Sequence, residues 1–314
     1  MDALRGVAAI LVLCFHVIGL FGQWRVFDRA WLAVDLFFML SGFVMARTYE
    51  SAMRDKRLGS IAFFRVRYRR LWAPVAFGTM LGIAFHVFAG LPLTLVAIIA
   101  GLILVPTSGY RVFGLNAPAW SIFFELLANI LHALILHRMT TRVLVAVAIS
   151  SFIVLVPARI GADSIFVGHR PEFFWFGVLR VIAPYCIGIV LYRTGARWDL
   201  WPAVPPLVMV ACLILIPKGI ECDVLFVLLV CPLLIVTGQR GGGVQLPVIL
   251  GALSFPLYAV HYPIMQIVKE MGGGPVAAVT LPIVAAILVG LAIDRRLSFN
   301  LHRNQTGVIL ASHK

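Results

Sequence analysis

An all-α, polytopic integral membrane fold is predicted by three observations. Of the 314 residues 61% are hydrophobic, only 12% are charged, and apolar runs of helical length recur from one end of the chain to the other. A soluble domain of this size carries roughly twice that charged fraction. Mean hydropathy is +1.00, and no stretch is long and polar enough to fold as a separate soluble unit. The chain therefore reads as one transmembrane domain over residues 1–314, with no appended soluble domain. The first apolar run has neither a basic leader nor a small-residue cleavage site, so it reads as a retained span and not a signal peptide.

Taken in order, apolar segments lie at about residues 3–22, 31–48, 73–89, 93–106, 118–137, 141–157, 173–193, 202–217, 224–238, 246–269 and 275–294. A span needs roughly 17–25 residues. The piece at 93–106 holds only about 14, ending at Pro106, which makes it a candidate re-entrant segment. Charge tests this division. With one crossing over 73–106, 18 Lys and Arg fall on one side: Arg5, the block from Arg47 to Arg70, the HRMTTR and YRTGAR turns, Arg240 and the tail. Seven fall on the other, and Arg180 is left inside a span. Two crossings there would put the later basic turns on the wrong side. The expectation is thus about ten transmembrane helices with both termini cytoplasmic.

The net charge of +13 is read accordingly as topology, and no motif supports a nucleic-acid partner. Of the five cysteines, Cys14, Cys186, Cys212 and Cys231 lie in apolar runs and Cys222 in a loop, which is neither a disulfide framework nor zinc spacing.

Ionisable residues inside spans come next, because charge in lipid is costly and marks candidate sites. In MDALRGVAAILVLCFHV, Arg5 and His16 are eleven positions apart, close to three helical turns. They share a face, roughly 16 Å apart along the axis, with the arginine near the cytoplasmic surface and the histidine near the midplane. A snorkelling arginine and a hydrogen-bonded core histidine account for the pair as well as a site does. In WLAVDLFFMLSGFVMA, Asp35 must pair or protonate, and the Ser41-Gly42 step permits close approach of a neighbouring backbone or a ligand. FFRVRYRRLWAP carries Arg65, Arg67, Arg69 and Arg70. Guanidinium forks grip phosphate, so this cluster suits a polyphosphate such as a nucleotide or coenzyme A, with anionic lipid as the alternative.

In NAPAWSIFFELLANI, Glu125 lies inside a span with Trp120 and Asn116 nearer the interface; in LSFPLYAVHYPIMQI, His261 is inside a span with Tyr258 one turn before it. Arg180 needs a carboxylate, for which Glu125 or Asp35 is available. His86, His132, His137, His169, His302 and His313 show no metal-ligand spacing and read as structural or solvated, so no metal is expected. A G-x-S-x-G elbow and a phosphate-cradling glycine loop are both missing. From these residues alone, a membrane transporter or exporter of a glycan or metabolite stays open beside an enzyme, since it too buries ionisable groups in its spans.

The ordered series LRGVAAILVLCFH, VDLFFMLSGFVMA, RYRRLWAP, PAWSIFFELLAN and LSFPLYAVHYP resembles the membrane acyltransferase-3 family over nearly the whole chain. These are bacterial O-acyltransferases that acetylate surface polysaccharides and related glycans. The resemblance implies a multi-pass protein of the bacterial inner membrane that takes acetyl-CoA (acyl-CoA) as co-substrate and a carbohydrate as acceptor, with membrane lipid around it. It carries the family's basic residue, ten positions and histidine onto Arg5 and His16, and its Arg-x-x-Arg motif onto Arg67 and Arg70. The acid of the Trp-Ser stretch falls on Glu125 and the late histidine on His261, with Ala259 where leucine is usual. On this reading Arg5, Arg67 and Arg70 hold the coenzyme A phosphates, and His16 is the general base or takes the acyl group itself. Asp35 or Glu125 orients His16 or binds the acceptor. Asn116, Trp120, Ser121, Arg180, Tyr258 and His261 serve the substrate.

Overall fold

The computed structural model describes residues 1–292 apart from Trp24, Tyr110, Asp163 and residues 240–244. Arg240, the basic tail and His302 and His313 lie outside the described residues, and so does the C-terminus whose side the charge count predicts. Among the described residues every regular element is helical. They are α1 (Asp2–Phe21), α2 (Ala33–Arg54), α3 (Ser60–Phe88), α4 (Leu95–Leu102), α5 (Ala119–Leu134), α6 (Thr141–Leu155), α7 (Phe176–Thr194), α8 (Val204–Leu215), α9 (Ile220–Leu225), α10 (Cys231–Thr237), α11 (Gln245–Glu270) and α12 (Pro275–Ala292). A π-helical turn, Phe226–Val230, joins α9 and α10 into one apolar helix.

Eight helices among the described residues are long and apolar enough to cross a membrane. The other two expected spans hold the shorter apolar helices α5, with 16 residues, and α8, with 12, below the roughly 17 of a full crossing. α4, at 8 residues, is about 12 Å long and cannot cross. Its last turn packs half-way along α3: Trp72 Nε1 donates to the Leu102 carbonyl at 2.8 Å, and Thr79 Oγ1 to that of Gly101 at 3.4 Å. The chain turns there at Leu104, which has φ 59°. This is the re-entrant excursion expected near 93–106.

α3 begins at Ser60, well before the apolar segment expected from residue 73. The reason is helical spacing within FFRVRYRR itself. Phe63, Arg67, Leu71 and Pro74 fall on one buried face, while Arg65 and Arg69 point outward.

Two helix pairs form the centre. α2 and α7 approach through reciprocal notches: a Cβ on Gly42 would overlap the Tyr185 carbonyl, and one on Gly188 would overlap that of Met39. α1 and α11 run parallel, because Gly6 packs on Leu250 and Gly251 on Asp2 at one end while His16 faces His261 farther along. Asp2, unassigned from the sequence, is thus a packing residue of the first turn. At the basic end Glu50 holds both Arg54 and Arg193; at the opposite end Asp223 holds Arg29 and accepts the Ile165 backbone N–H. The outer helices show lipid-facing side chains, with Ile153, Leu215 and Leu288 all more than half exposed.

Gly42→Val should force α2 from α7 and cost at least about 1–3 kcal/mol, the usual penalty of overpacking. The check is thermal unfolding in detergent. Gly19→Val, where an added Cβ meets nothing within 4 Å, should unfold like the parent.

Candidate functional site

The sequence-predicted residues fall into three clusters, strung along the helices from the basic end to the opposite one. The first is a cavity of about 90 Å³ enclosed by α1, α2, α3, α5 and α11. Arg5, Arg67, Arg70, Ser121, Glu125 and Tyr258 line it, with Phe37, Phe38 and Phe255 as apolar wall. Helical geometry selects the arginines: Arg67 and Arg70, three residues apart on α3, turn to the face that meets α1 and α5. Glu125 Oε1 accepts from Ser41 Oγ at 2.9 Å and from Arg67 Nη2 at 3.3 Å. Ser41 therefore serves the cavity while its neighbour Gly42 serves helix packing. Ser121 Oγ donates to the Pro118 carbonyl at 3.0 Å, which leaves the Tyr258 hydroxyl to donate to Ser121 Oγ at 2.6 Å.

Charge in this cavity is unbalanced. Three guanidinium groups face one carboxylate, and among the described residues neither Arg5 nor Arg70 joins an ion pair. Arg67 Nε is buried without a hydrogen-bond partner. A cavity with spare, partly buried N–H donors and surplus positive charge is built for an anion.

The second cluster surrounds His16. The Tyr258 ring that closes the cavity lies 5.7 Å from the ring of His261, which lies 5.0 Å from that of His16. His261 Nδ1 points at the carbonyls of Tyr258, at 2.9 Å, and Leu257, at 3.2 Å. Both are acceptors, so Nδ1 carries the proton and Nε2 is a bare lone pair, buried and without a partner. The backbone here is opened by Pro263, which has no N–H for the Ala259 carbonyl one turn back. Asn116 replaces that bond, donating from Nδ2 at 2.9 Å. On its other side His16 meets the ring of Tyr262 edge-on at 5.0 Å, and Arg111 Nη1 donates to the Tyr262 hydroxyl at 2.5 Å. Among the described residues His16 makes no hydrogen bond of its own and is only half-buried, so its ring is available.

The third cluster is the Asp35–Arg180 pair. Arg180 donates from Nε to Asp35 Oδ1 at 3.0 Å and from Nη2 to Oδ2 at 2.8 Å, and from Nη1 to the Val167 carbonyl at 3.2 Å. Trp31, Trp120 and Phe166 cage the guanidinium at 4.8, 5.2 and 5.3 Å. Both side chains of the pair are 0% exposed. Of the two carboxylates open to Arg180 from the sequence, Asp35 is the partner.

These placements differ from expectation in two respects. Neither Asp35 nor Glu125 hydrogen-bonds to His16, because each carboxylate is taken by an arginine. Arg180 and Trp120, expected on the substrate, face each other and Asp35, and neither lines the cavity. Tyr262 and Arg111 were not singled out from the sequence, and Ser41 entered only as part of the Ser41-Gly42 step open to a neighbouring backbone or a ligand. Tyr262 had a signal, its place beside His261; Arg111 sits in a loop and had none. His169, outside the spans, stacks on Phe166 at 4.3 Å. Burial, and then the Arg180 charge, lower its pKa to about 4, so it adds no charge at neutral pH. Among the described residues no group of three or more His, Cys, Asp or Glu is placed to hold a metal ion.

A family model described as an acyltransferase domain matches residues 1–295. The chain is similar to protein 2 in the picA locus of Rhizobium radiobacter, with 32% identity over 181 residues, covering 50% of this chain and 92% of that protein. No solved structure matches.

Removing one member of the caged pair leaves the other charged and dry. Asp35→Leu or Arg180→Met should each cost about 3–5 kcal/mol in detergent unfolding, and the double variant should recover most of it. Additive losses would show the two charges to be independent.

Proposed function

This chain belongs to the acyltransferase-3 family and is a membrane acyltransferase, and from that premise we propose that it moves an acetyl group from acetyl-CoA to a hydroxyl of a carbohydrate acceptor. The observation that carries the donor assignment is the charge of the first cavity, where Arg5, Arg67 and Arg70 face the single carboxylate of Glu125. A donor with phosphates supplies the missing negative charge. At about 90 Å³ the cavity admits a slender thioester arm and not a nucleotide, so the nucleotide stays at the arginine mouth. Positive-inside bias makes that end cytoplasmic, with both termini, in a bacterial plasma membrane.

Helix rise sets Arg5 and His16 roughly 16 Å apart, and the pantetheine arm reaches across a gap of that order toward the Tyr258–His261–His16 series. The acceptor hydroxyl oxygen attacks the thioester carbonyl carbon; the C–O bond forms and the C–S bond breaks. His16 takes the hydroxyl proton and returns it to the departing thiolate, so no net proton is gained or lost. Among the described residues no hydrogen bond joins the two histidine rings, but His261 presents an unpartnered Nε2 lone pair next to His16. On this reading that lone pair takes a His16 N–H in the reacting complex, which leaves the other His16 nitrogen unprotonated toward the hydroxyl. Glu125 positions Arg67, and Asp35 takes no part in the proton transfer.

The test is transfer of label from radiolabelled acetyl-CoA to glycan in membranes holding the full chain. His16→Ala should lower transfer roughly 100- to 10,000-fold with insertion unchanged, the range of a lost general base. Arg67→Ala and Arg70→Ala should mainly raise the KM for acetyl-CoA. A fully active His16→Ala protein would remove the catalytic assignment, and comparing glycan masses from cells with and without the gene would identify the acceptor.

A further inference from the structure

A second cavity, of about 540 Å³, lies at the end opposite the donor arginines, between α3, the re-entrant α4 and the chain that returns from it to α5. Its volume falls in the roughly 300–1,000 Å³ range of small-molecule sites. The wall carries hydroxyl-binding chemistry in Thr79, His86, Thr107 and Asn116, and a cation, Arg111, with no Asp or Glu among its lining residues. His86 Nδ1 is directed at the Gly82 carbonyl at 2.9 Å, so its Nε2 is an acceptor. Asn116 is 2% exposed; its Nδ2 is spent on Ala259, and its Oδ1 has no partner. A buried amide oxygen left bare in a cavity wall is costly unless a ligand or water donates to it.

Arg111 joins this cavity to the reacting histidine. One of its N–H groups is on the Tyr262 hydroxyl at 2.5 Å, and the Tyr262 ring is 5.0 Å from that of His16. Among the described residues its other N–H groups have no partner, and the guanidinium is in no ion pair. The wall is held by close packing, since a Cβ on Gly82 would overlap the Leu115 carbonyl beside Asn116.

We propose that this cavity is the acceptor chamber, that it takes a hydroxylated ligand bearing a carboxylate or phosphate, and that Arg111 binds that anion while its contact with Tyr262 sets the acceptor hydroxyl toward His16. The proposal rests on His16 as the reacting histidine. It assigns donor and acceptor to separate cavities, one linked to that residue through Tyr258 and His261 and the other through Arg111 and Tyr262, and makes acceptor charge a determinant of specificity. Asn116 Oδ1 accepts from an acceptor hydroxyl.

Binding to the purified full chain tests this without chemistry, using a glucuronate-containing oligosaccharide, its carboxyl-reduced neutral counterpart and glucose 1-phosphate as probes. A charged probe should bind at least about tenfold more tightly than the neutral one, the worth of a charge-assisted hydrogen bond. The two charged probes separate a carboxylate from a phosphate preference. Arg111→Gln should erase the difference and leave acetyl-CoA binding unchanged; Arg111→Lys, which keeps charge and bulk, should retain part of it. Equal binding of charged and neutral probes by the parent, or a charge preference that survives in Arg111→Gln, would overturn the proposal. An intact charge preference without acetyl transfer to any probe would instead count against the reading of His16 and leave the chamber standing.

Discussion

The Asp35–Arg180 ion pair is the constraint around which the other contacts are arranged. Two full charges with no exposed surface are tolerable only when each satisfies the other, and the bidentate geometry does this while the Val167 carbonyl takes a further N–H. The pair fixes α2 against α7, and the glycine notches at Gly42 and Gly188 let the same two backbones touch without side chains between them. The aromatic cage then ties in α5 through Trp120 and the 160s loop through Phe166. With α2 and α5 held, Ser41 and Glu125 are brought within hydrogen-bond reach across 84 residues of chain.

That rigid half supports a softer one. α1 and α11 run parallel, so His16 and His261 meet because each lies about three turns beyond the contact of Gly6 with Leu250. Two prolines in α11, Pro256 and Pro263, free carbonyls in its middle. Asn116 claims the Ala259 carbonyl, and this one bond positions the returning chain beside α11. The re-entrant α4 leaves space at one end of the bundle that a full crossing would fill, and the second cavity occupies it. The arginines of the first cavity at one end, a histidine pair in the middle and a polar cavity at the other set three regions of different chemistry along the bundle.

Much of this was legible in the residues. The apolar runs, the short piece at 93–106 and the need of Arg180 for a carboxylate follow from hydrophobic length and the cost of charge in lipid. The register of the arginines did not follow, because four arginines in six positions satisfy more than one spacing; the first cavity decides it, since Arg67 and Arg70 line it and Arg65 and Arg69 do not. The division of Ser41-Gly42 into a site residue and a packing residue likewise depends on which helix stands on each side.

The sequence by itself determined that this chain is a bundle of apolar helices with buried ionisable groups, and that Arg5 and His16 share a helix face, because hydrophobicity and helical periodicity are local properties. Only the tertiary structure decided the pairing of those groups. Asp35 goes to Arg180, Glu125 to Arg67 and His16 to His261 and Tyr262, since partners come from helices far apart in the chain and nothing in their spacing records which faces meet. Arg111 shows the same limit most plainly. In the sequence it is one basic loop residue among seven, and folding places it against Tyr262 at the edge of a cavity.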